Sequence, residues 1–234
     1  MKLLELLESL AAAAEIAVLL PVSPFMRGAY NRQGATEAEV NRSYPGDERV
    51  PNPVQAYTRA VTIHAPASIV YAYLIQLGQE RAGMYSYDLL ENIAGCQMHT
   101  VDHIVPEWQT IRLSDTVRFG PKGKTYPVLK VVAFEPDRAF VLAAADPKTE
   151  VVFEPTDPMP ETYANQVIAY FIDPVSASEC RLICRSRLDY RGGTGMTILW
   201  RVTEVLNYVM EQKLFRSIRQ YAERDARAPR LQPI

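Results

Sequence analysis

The chain has 234 residues, with 25 Lys and Arg against 27 Asp and Glu, so its formal net charge at pH 7 is −2. The basic residues form no run, which argues against a nucleic-acid-binding surface, because such a surface needs a clustered basic footprint. A hydrophobic fraction of 48% excludes a disordered chain. Three cysteines, an odd number, argue against a disulfide framework and indicate a reducing cytoplasm.

The first 22 residues are apolar but carry acidic residues at helical spacing. They form an amphipathic helix with two opposite stripes, one of Glu5, Glu8, Ala12 and Glu15, the other of Leu3, Leu6, Leu7, Leu10 and Ala14. The longest uncharged stretch is shorter than the roughly 20 residues needed to cross a bilayer. We expect the helix to end at Pro21 and Pro24. Four roles remain open for residues 3–20: packing on the chain itself, self-association, peripheral membrane contact, and a signal or anchor.

Residues 1–56 are predicted to be a helical appendage and linker. Thr36 and Glu39 have the spacing of a capping box, which predicts a short helix over about residues 36–43. A turn and an extended linker should follow, since this stretch contains Pro-Gly and repeated prolines. We expect a compact domain over residues 57–225 and a loose tail over residues 226–234.

Two short helices are predicted near the start of this domain. A strand, Tyr57–Ile63, precedes a helix whose apolar stripe ends at Gly78. The next helix is expected over residues 87–94, with Ser86 as its N-cap and Gly95 as its stop.

The rest of the domain is rich in strands and ends in a long helix. The candidate strands, broken by Gly-Pro, Glu-Pro and Asp-Pro pairs, are residues 116–119, 128–134, 140–144, 151–153, 166–172 and 181–188. Sequential strands without intervening helices predict an antiparallel meander. The final helix, from Met196 to about Asp225, would span about 45 Å, which is long enough to cross a sheet. The fold class is therefore α+β.

Two stretches of the sequence resemble a known superfamily. The element order from Tyr57 to Gly95 resembles the START-like, Bet v 1-like superfamily, also called SRPBCC. The cluster Gly-Met-Tyr-Ser-Tyr-Asp-Leu-Leu-Glu-Asn within it resembles one bacterial branch of that superfamily. Residues 34–40, and Trp108 within Val-Pro-Glu-Trp-Gln, are similar to its bacterial polyketide cyclase/dehydrase-like branch. The resemblance spans about residues 34–223. It implies a helix-grip fold, in which a curved antiparallel β-sheet wraps around a long C-terminal helix, with a cavity between them.

The resemblance also implies a function for that cavity. It would bind a small hydrophobic or amphipathic molecule, such as a lipid, a quinone or a polycyclic compound, as a carrier or sensor, without a cofactor. The side chains expected at the ligand are Tyr85, Tyr87, Trp108, Val117, Phe119, Leu182, Cys184, Leu188, Leu206 and Met210. Two alternatives stay open: a cyclase- or aromatase-like dehydratase acting in the cavity, and a membrane- or partner-associated module that works through the N-terminal helix.

Two groups of polar residues are candidates for chemistry. Asp88 and Glu91 can act as an acid or base if burial shifts their pKa, although Asp88 can equally cap a helix and Glu91 can face solvent. His99 and His103 follow Cys96 at spacings seen among zinc ligands. The alternative for these imidazoles is a hydrogen bond within a loop.

The strand over residues 181–188 alternates between two faces. Leu182, Cys184, Ser186 and Leu188 share one face, and Arg181, Arg185 and Arg187 share the other with Ile183. We expect the arginine face to be solvated and paired across strands. In the opposite register the arginines would point inward and bind an anionic ligand.

Overall fold

The computed structural model describes residues 3–124, 126–154 and 156–228. Its helices are α1 (Leu3–Tyr30), α2 (Glu37–Asn41), α3 (Ala67–Leu74), α4 (Asp88–Ile93) and α5 (Thr194–Arg227), with 3-10 turns at Asp47–Arg49 and Pro106–Trp108. Its strands are β1 (Gln55–Ile63), β2 (Thr116–Arg118), β3 (Val128–Glu135), β4 (Ala139–Ala145), β5 (Tyr163–Ser176) and β6 (Glu179–Arg191). The strands form one antiparallel sheet in the order β1-β6-β5-β4-β3-β2.

The α5 helix lies across one face of this sheet. Its C-terminal half buries Leu214, Phe215 and Ile218 in one core with sheet residues such as Leu142 and Leu182. The α3 helix packs on the same half of α5 and on β5. A curved antiparallel sheet around a long C-terminal helix is the helix-grip fold, so the predicted fold class is confirmed.

The other face of the sheet carries a second core. Tyr44 and Val50, from the segment between α1 and β1, pack against Val141 and Phe171. The rings of Tyr44 and Phe171 are 4.4 Å apart. Gly46 lies in this segment at φ 97°, and a Cβ there would come within 2.9 Å of the Val141 side chain, so the turn requires glycine. The predicted capping box of Thr36 and Glu39 is present and starts α2.

The arginines of β6 bind this covering segment. Arg181 donates to the Glu39 carboxylate at 2.8 Å and to a backbone carbonyl oxygen of the same segment. Arg185 donates to Asp47 at 2.6 Å, and Arg187 donates to the carbonyl oxygen of Val50 at 2.7 Å. The expectation of a solvated arginine face is therefore wrong, because residues 34–51 lie over it and supply acceptors. The expected pairing across strands is present, since Arg181 and Arg185 also donate to threonine hydroxyls of β1 at 2.9 Å. The arginines also do not reach the side of the sheet on which α5 lies.

The prediction that Pro21 and Pro24 end α1 is wrong, since the helix continues to Tyr30. A proline inside a helix leaves the carbonyl four residues earlier without a donor. For Pro24 that carbonyl belongs to Leu20, and the Ser23 hydroxyl donates to it at 2.9 Å. Packing of α1 on α5 supplies the remaining stabilisation, including an ion pair of 2.8 Å between Arg27 and Glu204.

The face of α1 that contacts the protein is the one that carries acidic residues. Ala12 is buried in a cluster with Tyr87 and Val209, and the Glu8 carboxylate accepts from Lys213 at 2.7 Å. The side chains buried on this face, Ser9 and Ala12, are small. The opposite leucine stripe stays exposed, with Leu3, Leu7 and Leu10 at 73%, 54% and 57%.

Four smaller predictions need correction. The β5 strand continues past Pro174, which is tolerated because β4 pairs only with residues 167–171 of β5 and leaves that edge free. Residues 151–153 form only an isolated bridge, from Val152 to Ala145. Ser86 does not cap α4; its hydroxyl donates instead to the carbonyl oxygen of Met210. The expected tail, residues 226–234, begins inside α5, and residues 229–234 lie outside the described chain.

Candidate functional site

A cavity of about 890 Å³ lies between the sheet and the N-terminal half of α5. Its walls are mainly apolar, with Leu129 and Ile168 from the sheet, Phe119 from the loop after β2, and Leu206, Met210 and Leu214 from α5. The sheet residues point toward α5 because side chains alternate along a strand, and the opposite face belongs to the second core.

The two halves of α5 differ in how closely they pack. Phe215 and Ile218 are buried, whereas Leu199 is 56% exposed and Leu206 is 37% exposed, although both line the cavity. The apolar stripe of α5 therefore extends past the part of the helix that the core covers. The cavity meets solvent along this N-terminal half.

A buried polar network around Glu211 begins at the cavity wall, which Tyr57 and Glu211 line, and continues behind it. The Tyr57 hydroxyl donates to this carboxylate at 2.8 Å, the Cys184 thiol donates at 3.3 Å, and the Arg59 guanidinium lies 3.3 Å away. Burial, followed by the neighbouring carboxylate, raises the pKa of Tyr57 and of Cys184. Cys184 therefore stays a thiol and is not activated as a nucleophile.

Arg59 connects this wall to the end of α1. Its side chain is fully buried, donates to the carbonyl oxygen of Tyr30 at 2.8 Å and to the Asn31 side chain at 3.2 Å, and stacks on the Tyr57 ring at 3.8 Å. A buried guanidinium needs a counter-charge, which Glu211 provides.

Glu91, on α4, also lines the cavity. Its Oε2 atom is buried and has no hydrogen-bond partner within the described ranges. Burial, with a smaller contribution from the Asp88 charge, raises the pKa of Glu91 to about 8. At neutral pH this carboxyl is therefore mainly protonated, and it can donate a hydrogen bond.

Asp88 lies outside the cavity and has a different environment. Its carboxylate accepts from the backbone amide and the hydroxyl of Thr100, both at 2.7 Å. Of the two carboxyls proposed for chemistry, the fold brings only Glu91 to the cavity.

The two tyrosines expected at the ligand lie elsewhere. Tyr85 is fully buried between Tyr73 and Tyr221, and its hydroxyl accepts from Gln76 at 2.6 Å. Tyr87 packs toward α1, and its hydroxyl accepts from Arg216 at 2.7 Å. The pKa of both hydroxyls is raised by burial.

The other predicted ligand contacts divide into two groups. Phe119, Leu206 and Met210 line the cavity. The core beyond the cavity contains four of the others: Trp108, Val117, Leu182 and Cys184. The last, Leu188, lies at a small crevice near Trp200.

His99 and His103 lie on an irregular segment after α4, so their spacing does not place them on one helical face. Both are exposed, and His103 Nδ1 is 3.5 Å from an Asp102 oxygen. Across residues 3–124, 126–154 and 156–228, no group of three or more His, Cys, Asp and Glu side chains is placed to hold a metal.

Sequence reasoning missed several polar residues at the site, notably Glu211, Tyr57 and Trp200. Glu211 had a detectable signal, since it falls at helical spacing with Leu214 and Ile218 on the buried face of α5. A carboxylate at such a position requires a buried partner. The partner, Arg59, lies 152 residues earlier in the chain, and nothing local pointed to it.

Within the described parts of the chain, no helix is long and apolar enough to cross a membrane. No family model and no curated protein matches the sequence.

Solved structures do match. A conserved protein from Geobacillus kaustophilus is 10% identical, aligning 73% of this chain with 97% of its own at a TM-score of 0.43. The Zhui aromatase/cyclase from Streptomyces sp. R1128 is 15% identical, with coverages of 74% and 96% and a TM-score of 0.33. A truncated norcoclaurine synthase from Thalictrum flavum is 8% identical, with coverages of 71% and 91% and a TM-score of 0.35. The curved six-stranded sheet, with β1 at one edge and α5 across one face, has the helix-grip architecture.

Proposed function

We propose that this protein binds a small hydrophobic or amphipathic molecule, such as a lipid, a quinone or a polycyclic compound, inside the cavity, and that it acts as a carrier or sensor. The observation that supports the proposal is a cavity of about 890 Å³ with mainly apolar walls between the sheet and α5. Sites for small molecules fall in the range of about 300–1,000 Å³, with apolar walls and few polar groups. An apolar ligand is stabilised there because it removes both its own surface and the cavity wall from water.

The wild-type protein, purified gently and examined by native mass spectrometry, is expected to retain a small apolar compound that denaturing extraction releases. Protein stripped of that compound should bind N-phenyl-1-naphthylamine, an uncharged apolar fluorophore, with a rise in its fluorescence. Both results follow from an apolar cavity that a ligand fills better than water does.

Variants that fill the cavity provide the matched test. Ala144→Trp and Leu206→Trp place an indole among the lining side chains, and we expect each to weaken fluorophore binding at least about tenfold. Ala38→Trp, on the exposed side of α2, should bind like the wild type. Equal binding by all four proteins, or none by any of them, would contradict the proposal.

The Glu91 carboxyl is the observation that favours the enzymatic alternative, a cyclase- or aromatase-like dehydratase. A protonated acid at an apolar cavity wall can transfer its proton to a bound substrate. The extraction experiment separates the two functions. A carrier returns the bound compound unchanged, whereas an enzyme converts it or has already released its product.

The cytoplasm is the compartment we propose. Cys96, Cys180 and Cys184 are all free thiols. Disulfides are rare in a reducing compartment, so unpaired cysteines fit that location.

The exposed leucine stripe of α1 supports a second candidate function, association with another copy of this chain. Leu3, Leu7, Leu10 and Ala14 recur at alternating spacings of four and three residues and face away from α5. This is the spacing of a two-helix seam, and it favours a helical partner over a lipid surface.

We expect the full-length protein to be a dimer in light scattering after size exclusion, and the double variant Leu7→Glu/Leu10→Glu to be a monomer. Charges in an apolar seam are costly because they lose their hydration there. Leu113→Glu, at an equally exposed leucine in a loop, serves as the control and should stay dimeric. A monomeric wild type would overturn self-association, and its co-sedimentation with phosphatidylcholine vesicles would assign the stripe to a membrane.

A further inference from the structure

We propose that the cavity selects an uncharged apolar molecule that carries a carbonyl oxygen, and that the Glu91 carboxyl donates a hydrogen bond to this oxygen. The inference deepens the proposed function and rests on it, since it concerns the ligand class of the same cavity.

The first support is the unpartnered carboxyl oxygen of Glu91. A buried polar atom without a hydrogen bond is costly, and such atoms are uncommon in native proteins unless a ligand, ion or water satisfies them. Glu91 lies on the cavity wall, and no described protein group bonds its Oε2 atom. A ligand oxygen in the cavity would supply the missing partner.

The second support is the charge of the cavity wall. Among the described residues that line it, none is Lys, Arg or His. Glu211 is already paired with Arg59, which lies behind the wall. A ligand carboxylate would meet carboxyl groups without a counter-charge, so an anionic fatty acid is disfavoured against a ketone, quinone or ester.

The third support is the protonation of Glu91, whose pKa is raised to about 8. A carbonyl oxygen only accepts hydrogen bonds, so its partner must carry a proton. The titratable groups that face Glu91 or share the cavity wall are Asp88 on its own helix, Cys96, Tyr126 and Asp146 from neighbouring loops, Tyr57, Tyr163 and Tyr170 from the sheet, and Glu211 from α5. None of these groups is a cation that would favour the ionised form of Glu91.

Three probes of one shape test the inference: 1-acetylpyrene has a carbonyl, 1-ethylpyrene has none, and 1-pyrenecarboxylate is an anion. At pH 6 we expect the stripped wild-type protein to bind 1-acetylpyrene about tenfold more tightly than 1-ethylpyrene, which is the effect of one hydrogen bond in a dry site. The carboxylate should bind weakest. At pH 9.5 the preference for the ketone should fall to about twofold or less.

Two variants identify the donor. Glu91→Met should lose the preference for the ketone but still bind 1-ethylpyrene, whereas Glu91→Gln keeps an N–H donor and should retain the preference at both pH values. Glu107→Met, at an exposed carboxylate near β2, should behave like the wild type.

The two proposals fail differently. If no probe binds, the proposed function fails and this inference fails with it. If 1-ethylpyrene and 1-acetylpyrene bind equally, or if Glu91→Met keeps the preference, the cavity binds apolar molecules but Glu91 does not select them.

Discussion

Glu211→Leu is expected to lower the free energy of unfolding by about 3–5 kcal/mol, because it leaves Arg59 buried without a counter-charge. The Arg59 side chain has no exposed surface, and Glu211 lies 3.3 Å from it. The variant also removes the acceptor of the Tyr57 hydroxyl and the Cys184 thiol. Urea unfolding followed by circular dichroism measures the loss.

A double variant tests whether the loss of stability comes from the unpaired charge of Arg59 or from the changed shape of the side chain at position 211. Arg59→Met/Glu211→Leu should recover most of the lost stability, because two apolar side chains need no partner. Glu37→Leu serves as the control, because it removes an ion pair with Arg32 in which both side chains are exposed. It should lower the free energy of unfolding by less than about 1 kcal/mol. If Glu211→Leu costs no more than Glu37→Leu, the buried pair does not hold the cavity wall in place.

The fold could be predicted because its signals are local. Alternation along residues 181–188 fixed which face of β6 is apolar, and the stripe on the final helix fixed the face that meets the sheet. Thr36 and Glu39 predicted the start of α2, since a capping box depends only on residues three apart.

The segment between α1 and β1 shows the limit of such reasoning. Its turn residues were readable, but its position over the arginines of β6 depends on bonds such as Arg185 to Asp47, which join residues 138 apart. In the same way, the length of α1 depends on packing against α5, which outweighs the preference of Pro21 and Pro24 to end a helix.

The candidate site was the least predictable feature. A cluster such as Tyr85 and Tyr87 indicates buried aromatic area, but the same area serves a core or a ligand equally well. Tyr85 joins the core, while Tyr57, distant in sequence, lines the cavity. The side chains that line the cavity are those between the sheet and the N-terminal half of α5, and their position depends on how α5 packs on the sheet.

Glu91→Gln is expected to change how stability depends on pH. In the folded chain the pKa of Glu91 is about 8, against an ordinary value of 4.5, because of burial and the Asp88 charge. A carboxyl whose pKa is higher in the folded chain than in the unfolded chain stabilises the fold fully at pH values below the unfolded-state pKa. That stabilisation is lost as the pH rises through the folded-state pKa. At about 1.4 kcal/mol for each pKa unit, the wild type loses on the order of 5 kcal/mol between about pH 4.5 and pH 8.

Glutamine has the same shape and no charge to desolvate, so the variant should not show this loss. We expect the two proteins to be about equally stable at pH 4.5, and the variant to be more stable at pH 9 by on the order of 5 kcal/mol. Urea unfolding across that range measures the difference, with Glu107→Gln as the exposed control. A difference between wild type and Glu91→Gln that stays constant from pH 4.5 to pH 9 would show that Glu91 is ionised at neutral pH. It would also remove the proton that the selection of a carbonyl requires.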